Sequence, residues 1–191
     1  MTTARLEAFS DGVIAILITI MVLELKVPEG ATLEALRPLV SLFLAYVLSF
    51  IVVGIYWTNH HHLLHATERV NGAILWANLH LLFWLSLIPL VTWWMGENSR
   101  APAPAAAYGV VMLACAVAWT ILQTLILREP ANRAVLADAI GSDVKGKLSL
   151  AMYAAAIPLA FAHHWIADAL YAAVAVMWLV PDRRIESRLP Q

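Results

Sequence analysis

Two polar residues, Ser10 and Asp11, stand inside the first apolar stretch of the chain, where their chemistry needs an explanation. A charged carboxylate at the centre of a membrane helix costs about 2.5–3.5 kcal/mol, and such groups usually face a partner or water. Candidate partners are Arg5, which precedes them, and the polar run Asn59-His60-His61-His62 at the end of the second apolar stretch. We therefore predict a polar network that locks the first two helices together.

The histidine run could also bind a metal ion, because His61 and His65 are four residues apart and can share one helix face. The chain has a single cysteine, Cys115, and the sequence places no carboxylate beside the histidines. Cys115 lies in an apolar run and is predicted to be a packing residue. We predict no metal site and no cofactor, and we expect the histidines to form hydrogen bonds or to sense pH.

A second polar pair, Asn78 and His80, lies in the third apolar stretch. Polar side chains in such stretches usually face other helices, where they form hydrogen bonds away from lipid. We therefore expect both residues of this pair to point inward.

Several classes of protein are disfavoured by what the sequence lacks. It has no phosphate-binding glycine-rich loop, no HExxH and no GxSxG motif, and it offers no plausible pair of nucleophile and base, so we predict that it is not an enzyme. The formal net charge of −1 argues against a nucleic-acid binder, which needs positive charge to bind phosphates.

The composition indicates that lipid surrounds the chain. Of its 191 residues 62% are hydrophobic and 13% charged, which is about half the charged fraction of an ordinary soluble domain. Apolar stretches long enough to cross roughly 30 Å of hydrocarbon recur along it. We predict an all-α integral membrane protein, a single domain over residues 1–191, with six transmembrane helices at 5–26, 38–60, 71–95, 105–127, 147–163 and 165–181.

The positive charges support this arrangement, since six spans place both termini and alternate loops on one side. Nine of the twelve Lys and Arg residues would then share the side of the termini: Arg5, Arg69, Arg128, Arg133, Lys145, Lys147, Arg183, Arg184 and Arg188. Lys26, Arg37 and Arg100 would lie opposite. Because cytoplasmic loops are enriched in positive charge, both termini are predicted to be cytoplasmic.

The first helix carries an apolar stripe. At 3.6 residues per turn Gly12, Ile16, Ile20 and Leu23 share one face, with Thr19 on its flank and Glu24 near its far end. Such a stripe is commonly a surface on which helices pack. Alternatively, four copies around an axis would form stacked apolar rings, which can close an ion path by expelling water. Spacing alone does not separate these interpretations.

A family resemblance bears on this choice. The residues that carry it are Arg5-x-x-x-Phe9-Ser10-Asp11-Gly12 in the first helix, Tyr56-Trp57 with His60-His61 in the second, and Asn78-Leu79 with Ser86-Leu87-Ile88-Pro89 in the third. Together they resemble the transmembrane protein 175 family, which contains the lysosomal potassium channel and its prokaryotic homologues. The motifs cover the first half of the chain, and the second half resembles the family in length and hydropathy.

The resemblance implies a homotetramer in a prokaryotic plasma membrane, with the first helices lining a central pore and no re-entrant filter loop. Ile16 would form the narrow constriction, with Ile20 and Leu23 further outward. Thr19 would supply a hydroxyl layer that favours potassium, and Glu24 at the mouth would concentrate cations. Gly12 matches a position where some relatives carry alanine. The Ser10 and Asp11 network is then either purely structural or also part of gating.

Two other functions are considered beside a weakly selective potassium channel. One is a proton-coupled secondary transporter that uses Asp11 and the His60–His62 cluster. Such transporters usually have internal repeats and broken helices, and the sequence indicates neither. The other is a membrane scaffold that conducts no ions, in which the polar network is purely structural.

Overall fold

The computed structural model describes residues 2–133 and 143–179, and these residues form helices and no strand. A 3-10 helix, Leu33–Leu39, leads directly into the second α-helix. The α-helices are α1 (Thr3–Leu23), α2 (Val40–His65), α3 (Gly72–Leu85), α4 (Ile88–Glu97), α5 (Pro102–Arg128), α6 (Val144–Ala162) and α7 (His164–Leu179). The all-helical class predicted from the sequence is confirmed.

The helix bounds differ from the predicted spans at two important places. Helix α2 continues to His65 instead of ending at 60, so the whole histidine run is helical and lies in the last two turns of α2. The third predicted span contains two helices, α3 and α4, with a turn at Ser86 and Leu87 between them. The sequence shows no sign of a broken helix, but this span contains such a break.

The turn between α3 and α4 has a local cause. Pro89 has no amide hydrogen, and it occupies the first turn of α4, where an amide has no partner inside the helix. The Ser86 hydroxyl donates a 2.7 Å hydrogen bond to the Phe83 carbonyl, which gives that carbonyl a partner at the end of α3. At this turn, therefore, neither the Pro89 nitrogen nor the Phe83 carbonyl leaves an unsatisfied hydrogen-bonding group.

Five segments of the described chain are long and apolar enough to cross a membrane: Thr3–Leu23, Leu33–His65, Gly72–Glu97, Pro102–Arg128 and Val144–Ala162. The helix at the sixth predicted span, His164–Leu179, is shorter. Residues 180 and 181 of that span, and Arg183, Arg184 and Arg188, lie outside the described residues. The chain is a multi-pass membrane protein.

Helix α5 supplies much of the core and packs against α3, α4, α6 and α7. Its Tyr108, Met112 and Leu122 are fully buried, and so is Cys115, as expected of a packing residue. Helix α1 lies at the edge of this bundle and packs on α2, α3 and α4. One face of α1 therefore has no partner among the described residues of the subunit.

A buried polar contact ties α2, α4 and α5 together. The Ser49 hydroxyl lies 2.6 Å from the Thr92 hydroxyl and 3.1 Å from the Tyr108 hydroxyl. Since Thr92 donates its own hydrogen to the Ile88 carbonyl, Ser49 must donate to Thr92 and Tyr108 to Ser49. This directed chain of hydrogen bonds fixes α4 against the core and satisfies each hydroxyl away from lipid.

Candidate functional site

Helix α1 has two opposite faces. Its buried face consists of Leu6, Ser10, Ile14, Leu17 and Met21. The apolar stripe predicted from spacing lies on the other side, with Ile16 57%, Ile20 40% and Leu23 80% exposed. The stripe therefore does not pack against the rest of the described subunit. This face is open to lipid, to another copy of the chain or to a water-filled path.

Gly12, Thr19 and Glu24, which lie in or beside the stripe, are exposed as well. The Thr19 hydroxyl donates a 2.9 Å hydrogen bond to the Ile16 carbonyl, one turn back, so its lone pairs remain available on the exposed side. Nothing lies within 4 Å of a methyl group added at Gly12. Glu24 is exposed and lies just beyond the end of α1.

A buried polar chain fixes the start of α1 against α2 and α3. Ser10, His60 and Asn78 are all fully buried. Asn78 donates a 2.9 Å hydrogen bond from Nδ2 to the Ser10 hydroxyl, which donates to the Leu6 carbonyl. His60 Nε2 lies 2.7 Å from Asn78 Oδ1, an acceptor, so Nε2 carries the hydrogen and donates.

A second polar group lies beside this chain, between α1 and α2. The imidazole Nδ1 of His61 is 2.8 Å from Glu7 Oε1. The indole nitrogen of Trp57 donates a 3.0 Å hydrogen bond to Asp11 Oδ1. The His61 ring is stacked between Trp57 and His65, with centroid distances of 6.0 and 5.9 Å. Five side chains from two helices thus meet in one group of charged and aromatic residues.

The predicted network exists, but its pairing differs from the expected partners. Asp11 bonds to Trp57, and Asn59 donates instead to the Ile55 carbonyl of its own helix. Glu7 was missed as a member. Its position four residues before Asp11, on the same helix face, was the available signal.

The prediction for His80 was wrong. Asn78 points inward, but His80 is exposed and accepts a 2.9 Å hydrogen bond from the Trp84 indole. Residues two apart on an α-helix differ by about 200° in direction, so the pair could not share one face. Arg5 and Phe9 also lie on the exposed side of α1.

The expectation that no carboxylate accompanies the histidines was also wrong. Glu7, Asp11 and His61 each place a potential ligand atom within 4.8 Å of the other two. The residues come from two helices, and the sequence does not give the depth or rotation that brings those helices together.

The chain is similar to known membrane channels. Residues 5–89 match the family model described as endosomal/lysosomal potassium channel TMEM175. A potassium channel of Chryseobacterium sp. (strain P1-3) is 52% identical over 191 residues, which cover all of both chains. A potassium channel of Streptomyces collinus is 36% identical over 67% of this chain and 68% of its own.

A solved structure is also similar. The crystal structure of a lysosomal potassium-selective channel TMEM175 homologue from Chamaesiphon minutus matches with a TM-score of 0.78 and 29% sequence identity. The match covers 95% of this chain and 97% of that chain. The fold is thus that of a helical membrane channel subunit and not of an enzyme. The chain belongs to the TMEM175 family, which confirms the resemblance found in its motifs.

Proposed function

We propose that the chain forms a homotetrameric, potassium-permeable and weakly selective cation channel that conducts passively across a prokaryotic plasma membrane. The observation that carries this proposal is the exposed apolar stripe of α1 on a helix whose other face is buried. Relatives named potassium channels, similar over most or all of their length, support the potassium preference. Both termini lie in the cytoplasm, in keeping with the distribution of Lys and Arg.

The constriction is a ring of four Ile16 side chains, one from each subunit. Ile16 is 57% exposed in the single subunit, so its side chain is available to meet its copies around an axis. Bulky apolar side chains that meet in this way expel water and close the path, and conduction requires that they move apart. Ile20 and Leu23 continue the apolar lining toward the end of α1.

Weak selectivity follows from the chemistry of this lining. An apolar ring offers no oxygens to replace the water around an ion, so it favours the ion whose hydration shell deforms more easily. Potassium is larger and less tightly hydrated than sodium. The Thr19 hydroxyls add an oxygen layer, and four copies of Glu24 beyond the helix end attract cations and repel anions.

The polar network anchors the pore helix. Ser10 ties α1 to Asn78 of α3, and Glu7 and Asp11 tie it to His61 and Trp57 of α2. All these bonds lie in the first three turns of α1, before the Ile16 ring. The start of α1 is thereby held to its own subunit, and the stripe beyond it faces the axis.

Flux measurements test the constriction. Ile16→Ala and Ile16→Asn should each change potassium flux into liposomes strongly, because they remove the bulk or the apolar character of the ring. Ile121→Ala is the matched control, since Ile121 is 40% exposed on α5 and lies outside α1. Its flux should equal that of the wild type. Unchanged flux in both Ile16 variants would show that the gate is elsewhere.

A second candidate function is proton-coupled secondary transport through Asp11 and the His60–His62 cluster. The turn at Ser86 and Leu87 favours it, since broken helices are common in such transporters. Uptake that saturates with substrate and depends on a proton gradient would support transport. Potassium flux that rises in proportion to its gradient, with no need for a proton gradient, would support the channel.

A further inference from the structure

The cluster of Glu7, Asp11 and His61 has the composition of a transition-metal site. Two carboxylates and one imidazole place their ligand atoms within 4.8 Å of one another. Imidazole suits zinc, copper, iron and nickel, whereas magnesium and calcium prefer oxygen ligands alone. We propose that these three side chains bind one divalent transition-metal ion, such as Zn²⁺, per chain, with water completing the coordination.

The distances are close to those that such an ion requires. Zinc bonds to nitrogen and oxygen at roughly 2.0–2.2 Å, which places neighbouring ligand atoms of a tetrahedral site about 3.4 Å apart. Glu7 Oε1 and His61 Nδ1 are 2.8 Å apart, slightly closer than this, and no ligand atom of the set is more than 4.8 Å from another. Small rotations of these side chains are enough to reach the coordination distances.

Neighbouring groups hold the ligands in position. The Trp57 indole donates to Asp11 Oδ1, which leaves the other carboxylate oxygen to bind the ion. Hydrogen bonds of this kind orient metal ligands in known sites, and their loss typically weakens metal affinity by about 10–100-fold. The stacking of His61 between Trp57 and His65 restricts its ring in the same way.

The charge of the cluster also suits a dication. Glu7 and Asp11 together contribute two negative charges, and a neutral His61 adds none. Both carboxylates are partly buried, so water screens their mutual repulsion less than at an open surface. A bound dication would neutralise this pair and link α1 to α2.

Calorimetric titration of the purified, tag-free full-length protein with Zn²⁺ tests the proposal. The expected result is one ion bound per chain, with affinity at least about tenfold weaker in His61→Gln and Glu7→Gln and about tenfold weaker in Trp57→Phe. His80→Gln is the matched control, because it removes an exposed histidine of α3 outside the cluster and should retain wild-type affinity.

Two results would overturn the proposal. One is the absence of a one-per-chain site in the wild type, which needs no variant and so does not depend on the folding of any. The other is unchanged Zn²⁺ affinity in His61→Gln that elutes as the wild type does from a sizing column. The titration requires no ion conduction, so its outcome is independent of the proposed channel function.

Discussion

Replacing Asn78 with alanine should destabilise the subunit, because this amide joins α1 to α2 through α3. The change removes the 2.7 Å bond from His60 and the 2.9 Å bond to Ser10. It also leaves the Nε2 hydrogen of His60, a fully buried side chain, without its acceptor. Hydrogen bonds between membrane helices contribute about 0.6 kcal/mol on average and at most about 1.7 kcal/mol. Two such bonds give a predicted loss of about 1–3 kcal/mol in the free energy of unfolding.

The assay is equilibrium unfolding in mixed micelles with increasing denaturing detergent, followed by circular dichroism. Asn98→Ala is the matched control, because Asn98 is exposed and, within the described residues, its side chain donates to the nearby Trp94 carbonyl of α4. Its effect should stay within about 0.5 kcal/mol. In a double-mutant cycle, Ser10→Ala and Asn78→Ala should show a coupling energy of about 0.5–1.5 kcal/mol. Equal effects of Asn78→Ala and Asn98→Ala would refute the assigned role of the buried chain.

Two glycines give opposite predictions for the same substitution, measured by the same unfolding assay. Gly96→Ala should destabilise by about 1–3 kcal/mol, because the added methyl group would lie 2.6 Å from Leu42 Cδ1 and 2.7 Å from Leu42 Cα in a packed interface. Gly12→Ala should be neutral or stabilise by up to about 1 kcal/mol, because it meets nothing within 4 Å and alanine favours the helix. A neutral Gly96→Ala would contradict the close packing of α4 on α2. A Gly12→Ala variant that unfolds more easily in the isolated subunit would contradict the open face of α1.

The sequence determined the features that depend on local chemistry and periodicity. A chain with so few charges must be surrounded by lipid, and the length of each apolar stretch sets where helices can cross. The spacing of Gly12, Ile16, Ile20 and Leu23 fixed their common face, because the angle between residues of one helix is a property of the helix itself. The family motifs then predicted that this face lines a pore.

The tertiary structure decided which side chains meet across helices. Glu7 joins His61, Trp57 rather than a histidine bonds to Asp11, and His80 points away from the network. The bundle also decided how α4 is held, because the Ser49 hydroxyl of α2 lies 2.6 Å from the Thr92 hydroxyl of α4. Such contacts depend on the depth and rotation of each helix, which the packing of the whole bundle sets. The composition of one helix therefore showed that its polar groups need partners, but only the packed bundle selected those partners.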